Sequence, residues 1–379
     1  MIYLDNAATT EPSERTKNIV SGLMSEFANP SSIYPLGLDA REFIDNSRKT
    51  IAETIGAQPY EVFFTSGGSE SNAMAIKGVA KQLKDHGLTH CITTRIEHSS
   101  VLGCFKQLED DGFDVTYISV GNNPEKLPEK IAEAIRPNTG LVSVMYVNNE
   151  TGMILPVREI GKMCQCLGVY FHTDCVQAFG QQKINVKELN CDFLTVSGHK
   201  FHAPKGVGFL YSRVQPLTPL IPGHQEFGLR GGTENMASIK AMSLEARSAS
   251  EQCTIVNDRC KDLYTLFLTA MKQNFHHQYT INCAGVNHCP KIISITIPGM
   301  DANTAILYLA TKQIYVSAGS ACRALEQRPS YVLKDLGLTD DEARQTLRIS
   351  TSIFNSTDDI VCLVTALCDA YELLTKHCN

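Results

Sequence analysis

Residues 62–87 read VFFTSGGSESNAMAIKGVAKQLKDHG. The apolar run VFFTS (62–66) has the composition of a strand, and SNAMAIKGVAKQLKDHG (71–87) repeats its apolar residues at helical spacing. Glycines and hydroxyls fill the turn between them. A strand that feeds directly into a helix is the unit from which parallel sheets are built. The alternation continues outward from this stretch. CITTRI (91–96), VTYISV (115–120), LVSVMYV (141–147), VYFHTD (169–174), FLTVS (193–197) and VGFLYS (207–212) read as further strands, and LPEKIAEAIRP (127–137) as a further amphipathic helix. The strands are nearly continuous apolar runs, as expected where helices cover both faces of a sheet. The pattern predicts an α/β fold with a mostly parallel sheet.

The pattern changes after GLRGGTEN (228–235). A long helical stretch over about 235–275 is followed by KIISITI (291–297), ANTAILYLATK (302–312), IYVS (314–317), TLRIS (346–350) and a final helix near 357–376. These elements predict a second, smaller α+β unit beginning near residue 255. No linker or internal repeat separates the two, so they are expected to pack closely.

The 379 residues are 43% hydrophobic and 20% charged, with a formal net charge of -6. That balance offers no electrostatic pull toward nucleic acid or an anionic membrane. No apolar run approaches the ~18 residues of a membrane span, and the N-terminus carries no basic apolar leader, so a cytoplasmic protein is expected. The 14 cysteines are scattered through a long chain and read as reduced thiols, mostly small buried hydrophobes. Cys164 and Cys166 fall on a helical pattern at i, i+2, and His288–Cys289 has no second pair at finger-like spacing. No metal site is expected.

Chemistry in parallel sheets gathers at the carboxyl ends of strands. Four strands here end in polar groups: VFFTS in GGSESN, LVSVMYV in Asn148 and Asn149, VYFHT in Asp174 with Gln177 beyond it, and FLTVS in His199 and Lys200. Gly67, Gly68 and Ser69 could cradle a phosphate with backbone N–H groups at a helix start. The turn lacks the lysine pattern of a nucleoside-triphosphate loop. A phosphate cradle, a carboxylate and a lysine together suit pyridoxal phosphate (PLP), which needs a Schiff-base lysine and an acidic partner for its pyridinium nitrogen.

Here the chain resembles the cysteine desulfurases of the iron–sulfur assembly and nitrogen-fixation class. The resemblance runs the whole length, through YLDNAATT (3–10), NPSS (29–32), FTSGGSESN (64–72), EHSSV (97–101), VNNETG (147–152), HTDCVQAFG (172–180), SGHK (197–200), PKGVG (204–208), RGGTEN (230–235), SAGSAC (317–322), PSYVL (329–333) and LRIS (347–350). It implies an aspartate-aminotransferase-like PLP fold, with a large PLP-binding domain over 13–255. Residues 1–12 and 256–379 would form the small domain that carries a catalytic cysteine. Lys200 matches the Schiff-base lysine, Asp174 the pyridinium partner and His98 the histidine stacked on the ring. Gln177 and Asn149 match side chains near the ring oxygen and substrate carboxylate. Gly68, Ser69, Ser197 and His199 match phosphate ligands, and Thr233 a threonine that reaches the phosphate from the other subunit of a homodimer. Arg348 matches the arginine that clamps the substrate carboxylate.

The same resemblance gives Cys322 the role of removing sulfur from L-cysteine as a persulfide, leaving L-alanine. The small and polar residues around it, and the interval to Pro329, match the class that delivers sulfur to acceptor proteins for clusters or thio-modification. Selenocysteine lyase, which shares the scaffold, and a silent scaffold subunit are the alternatives. Intact Lys200, Asp174, His98, Cys322 and Arg348 weigh against the silent reading. An aminotransferase would have no use for the thiol. Tyr34, His202 and Ala203 stand where relatives often carry other residues, without touching a catalytic role.

Overall fold

The computed structural model describes residues 1–215, 217–319 and 329–375. Seven strands form the main sheet in the spatial order Val62–Thr65, Gly208–Ser212, Phe193–Ser197, Tyr170–Asp174, Thr139–Ser143, His90–Thr94 and Asp114–Ile118. The last five run parallel. Phe193–Ser197 and Gly208–Ser212 are joined by only ten residues, too few for a crossover, and pair antiparallel. Val62–Thr65 is antiparallel to Gly208–Ser212 in turn. Two reversals return it to the direction of the parallel set, so Thr65, Gly208 and Ser197 lie in one row across the sheet. The carboxyl ends of all the strands read as functional therefore share one edge.

Helices cover both faces. Ile44, Ile51, Val142, Ile160, Phe171 and Met242 are fully buried in one core layer, and Phe63, Ile76, Phe105, Leu141 and Phe193 in the other. Neighbouring residues such as Leu141 and Val142 point into opposite layers, which is why these strands are apolar on every residue. Several strands are shorter than the apolar runs suggest. LVSVMYV becomes Thr139–Ser143, with residues 144–147 continuing as buried irregular chain. The long helical stretch divides at Gln252 into Met236–Glu251 and Cys253–Asn274.

A second, antiparallel sheet has the order Ser317–Ala318, Thr346–Ser350, Ile292–Thr296, Thr280–Ile281. Its core gathers Leu263, Phe267, Ile293, Ile295, Leu347, Ile349, Leu363 and Leu367, and it also takes in Leu4 from the N-terminus. Ile2–Tyr3 pairs in parallel with Ile314–Tyr315, and the Ser350 N–H donates to Leu4 O at 2.7 Å. The N-terminal strand is thus fixed to the second sheet before the chain passes under the edge of the first. Among the described residues, no helix is long and apolar enough to cross a membrane.

Candidate active site

A cavity of about 290 Å³ opens at the shared strand edge, between the two sheets. Gly68, Ser69, His98, Asn149, Asp174, Gln177, Ser197, His199, Lys200 and Arg348 all line it. Its first wall is the start of the helix Gly68–Asp85. The N-cap position, Gly67, has φ 151°, in the region that favours glycine, and no side chain caps the first turn. A Cβ on Gly68 would meet Val176 Cγ2 at 2.8 Å. A Cβ on Gly208 would meet Val196 O at 2.6 Å and Gly67 Cα at 2.8 Å, so Gly208 lets the turn lie directly on the sheet edge. The open N–H groups of this first turn, with Ser197 beside them, form a cradle suited to an anion.

Asp174 ends its strand at the cavity floor and is buried. Its Oδ2 accepts from Asn72 Nδ2 at 2.8 Å and its Oδ1 from the Val176 N–H at 2.9 Å. Asn72 lies four residues into the same helix as Gly68, hence on the same face. Its Nδ2 also donates to Ser100 Oγ at 3.0 Å, which joins the carboxylate to the next wall. That wall begins at His98, the N-cap of the helix Ser99–Asp110. His98 Nδ1 accepts from the Ser100 N–H at 3.2 Å and lies 2.8 Å from Ser100 Oγ. The preceding residue, Glu97, is fully buried and its carboxyl is pushed up to about 8 by burial. It accepts from Thr94 Oγ1 at 2.7 Å and the Met145 N–H at 3.0 Å, which fixes the strand end that carries His98.

Lys200 closes the floor. Its Nζ donates to Ala7 O at 2.7 Å and Ala8 O at 2.6 Å, on the N-terminal segment held by the second sheet. Gln177 Nε2 donates to the same Ala7 O at 2.8 Å, and its buried Oε1 has no hydrogen-bond partner among the described residues. His199 Nδ1 pairs with Thr9 Oγ1 at 3.0 Å. Burial first, then the nearby Lys200, Lys205 and Lys291, hold His199 down at about 4, so it is neutral at pH 7. The adjacent asparagines divide two tasks. Asn148 is buried and builds the turn, accepting from the Glu150 and Thr151 N–H groups at 3.0 Å each, while Asn149 lines the cavity.

Arg348 lies opposite, on the strand Thr346–Ser350. Its Nη2 donates to Asp5 Oδ1 at 2.9 Å and its Nη1 to Asn149 O at 2.9 Å, and its Nε has no hydrogen-bond partner among the described residues. Thr233 is exposed and is not among the cavity-lining residues. Cys322 lies outside the described residues. No described cysteine lines the cavity. Cys175, beside Asp174, is fully buried, and its thiol is raised well above the ordinary value by that burial, the opposite of what a nucleophile needs.

The sequence profile of the class-V aminotransferases matches residues 2–363. The chain belongs to the class-V aminotransferase family. It is 37% identical to the cysteine desulfurase IscS of Dictyoglomus turgidum over 95% of this chain and 91% of that protein. It is equally similar, at 37%, to the cysteine desulfurase IscS of Methanosarcina thermophila, over 95% and 89% of the two chains. Among solved structures it overlays a NifS-like protein from Rickettsia africae with a TM-score of 0.87 and 31% identity, covering 98% of this chain and 99% of the other. A structure described as SspA in complex with cysteine overlays with a TM-score of 0.81 and 35% identity, covering 94% and 100%. These relatives place the chain in the cysteine desulfurase branch of the class-V aminotransferases, whose members depend on PLP.

The residues of this class-V site fit that cofactor. The uncapped helix start suits the phosphate, the twice-bonded Asp174 suits a ring nitrogen that carries a proton, and the orphaned Gln177 Oε1 awaits a donor. The sequence reading did not assign Asn72, Ser100, Tyr331 or Asp5. Asn72 had a visible signal in its four-residue spacing from Gly68. Asp5 had none, because its partner lies 343 residues away.

Proposed function

We propose that the chain is a PLP-dependent desulfurase that takes sulfur from L-cysteine, releases L-alanine and passes the sulfur through Cys322 to acceptor proteins. The convergence of Lys200, Asp174, His98 and the helix-start cradle on one cavity, facing the buried guanidinium of Arg348, carries this reading. When bound there, PLP supplies an electron sink for charge that develops at the substrate α-carbon.

Each residue then has a task. Gly68, Ser69, Ser197 and neutral His199 hold the phosphate without bringing a competing charge. Asp174, kept in place by Asn72 and Val176, balances a protonated ring nitrogen. Gln177 and Asn149 bind the ring oxygen and the substrate carboxylate side. His98 would cover the ring face. Lys200 Nζ removes the α-proton of the substrate and returns it. Arg348 binds the substrate carboxylate through its fixed fork of donors. The Cys322 thiolate attacks the substrate sulfur: an S–S bond forms, the C–S bond breaks with its electron pair left on carbon, and a proton completes the methyl group of alanine.

The division into a cofactor unit over 13–255 and a unit of 1–12 with 256–379 belongs to this reading, because the cavity lies between the two sheets. So does a homodimer. Thr233 is exposed, and Arg41 of the segment beside it donates to Pro30 O and pairs with Glu234. Phe27, Ile33, Leu36, Leu38 and Phe227 are exposed apolar side chains of the kind a second copy would cover. A reducing cytoplasm suits a working thiol. Replacing Lys200 with Ala tests the reading. The purified variant should lose the visible absorption of bound PLP in its lysine-linked form and all alanine formation from L-cysteine. Turnover that survives at the wild-type rate would overturn it.

A further inference from the structure

A second cavity, of about 200 Å³, adjoins the first, and Lys200 lines both. The other lining residues that can carry charge are Arg15, His202, Glu245 and Lys291. Lys291 immediately precedes the strand Ile292–Thr296 and is 3% exposed. Its Nζ donates to Lys200 O at 3.2 Å, and among the described residues it forms no ion pair. An ammonium has three hydrogens to donate, so two are left over. Burying such a group without a counter-ion is costly.

The protein around Lys291 supplies no negative charge to it. The titratable groups that interact with it are Cys289, Cys260, Arg348, His199 and His202. Burial keeps both thiols protonated, with Cys289 pushed up to about 12, and Arg348 is itself a cation. Burial also holds His199 and His202 down at about 4, so both are neutral at pH 7. Burial in turn holds the Lys291 ammonium below its ordinary value, and a bound anion would reverse that. The cavity is where such an anion has room. Its carboxylate, Glu245, is buried and accepts from Ser13 Oγ at 2.5 Å, and it does not pair with Lys291. Arg15 is exposed at the cavity and pairs with no carboxylate among the described residues. Two cations therefore face one carboxylate that is already hydrogen-bonded.

We propose that this second cavity is a binding site for a small oxyanion, an inorganic phosphate or sulfate or a carboxylate, held by Lys291 and met at the cavity mouth by Arg15. The anion supplies the counter-charge that the fold withholds from Lys291 and accepts its two remaining hydrogens. The site does not depend on the desulfurase reading, in which Lys291 and Arg15 have no part.

The test uses the PLP-loaded full chain, so that the cofactor's own phosphate cradle is filled. Sodium phosphate, sulfate and acetate are each titrated by calorimetry against a sodium chloride blank, and thermal unfolding is followed with each salt. At least one oxyanion should bind the wild type with a millimolar or tighter Kd and, at tenfold excess over that Kd, raise the unfolding midpoint by about 2 °C. Lys291→Met should weaken the binding at least tenfold and abolish the rise. Arg15→Gln, at an exposed side chain, should weaken it at least twofold, and it decides alone if Lys291→Met does not fold. Tighter binding of phosphate or sulfate assigns the site to an inorganic ion, and tighter binding of acetate assigns it to a carboxylate; both support the proposal. No binding by any of the three overturns it. So does equal binding by the wild type and the variants, which would mean an adventitious ion only, on the surface or in an unloaded cradle. An equal rise in midpoint with chloride overturns it as well.

Discussion

Arg48 and Arg348 are both 2% exposed, and they do opposite things. Arg48 meets Glu226 with both arms, Nη1 to Oε2 at 2.7 Å and Nη2 to Oε1 at 2.9 Å, and donates again to Val62 O. Glu226 Oε2 also accepts from the Phe64 N–H at 2.7 Å, and the guanidinium lies over the rings of Phe64 and Phe227. Glu226 and Phe227 hold φ values of 49° and 57°, a costly conformation for side-chain-bearing residues that this ion pair helps to impose. Arg348 has one arm on Asp5, whose side chain is 19% exposed, and the other on a backbone carbonyl at the cavity wall. A buried cation whose partner is fully engaged holds structure together. One whose partner is partly hydrated, and which faces a cavity, can still take a ligand.

The strongest test of that contrast is Arg348→Met. It should lower kcat/KM for L-cysteine by at least a thousandfold, about 4 kcal/mol of transition-state binding. Asp5, left behind, can hydrate, so urea unfolding should move little. Arg48→Met should do the reverse. It strands Glu226 without its cation and should cost about 3–5 kcal/mol in urea unfolding, while turnover per folded molecule stays unchanged. Adding Glu226→Gln to it should return part of the loss. If Arg48→Met instead lowers turnover at unchanged stability, the contrast collapses.

Acid sharpens the same distinction at a histidine. His172 is fully buried behind the site, with Nδ1 at 2.8 Å from Ser143 Oγ and Nε2 at 3.1 Å from Thr195 Oγ1. Burial pushes it down to about 3. The unfolded chain therefore binds the proton first as pH falls. His172 contributes stability that is complete above about 6.5 and is lost toward 3, at up to about 1.4 kcal/mol per pH unit. His172→Gln should flatten that slope in denaturation curves between pH 6 and 4. An unchanged slope would mean that His172 is not held neutral. The smallest effect should come from Asp5→Asn, which loosens Arg348 without removing it. It should raise KM for L-cysteine three- to tenfold, about 1 kcal/mol, and leave kcat alone. A large loss of kcat would mean that Asp5 does more than orient the guanidinium.

Local pattern made the parallel strands legible, because double burial writes itself as unbroken apolar runs. The polar residues at their ends were legible for the same reason: each follows its strand directly. Two things escaped. The reversal that returns Val62–Thr65 to the common direction depends on pairing through Gly208–Ser212, which no local signal encodes. The reach of the N-terminus was equally hidden. Ala7 and Ala8 hold Lys200 through backbone carbonyls, to which any side chain is nearly irrelevant, and Asp5 meets Arg348 only after folding. Sequence marks groups that act through their own side chains far better than groups that act through the main chain.

Sulfur transfer through Cys322 is tested by measuring alanine and protein persulfide formed from L-cysteine by the PLP-loaded chain and by its Cys322→Ser variant, with a reductant present. The wild type should form alanine and a persulfide on Cys322, and the variant should be a yellow protein with bound cofactor that makes no persulfide and releases no sulfide. A variant that desulfurates L-cysteine at the wild-type rate would contradict it.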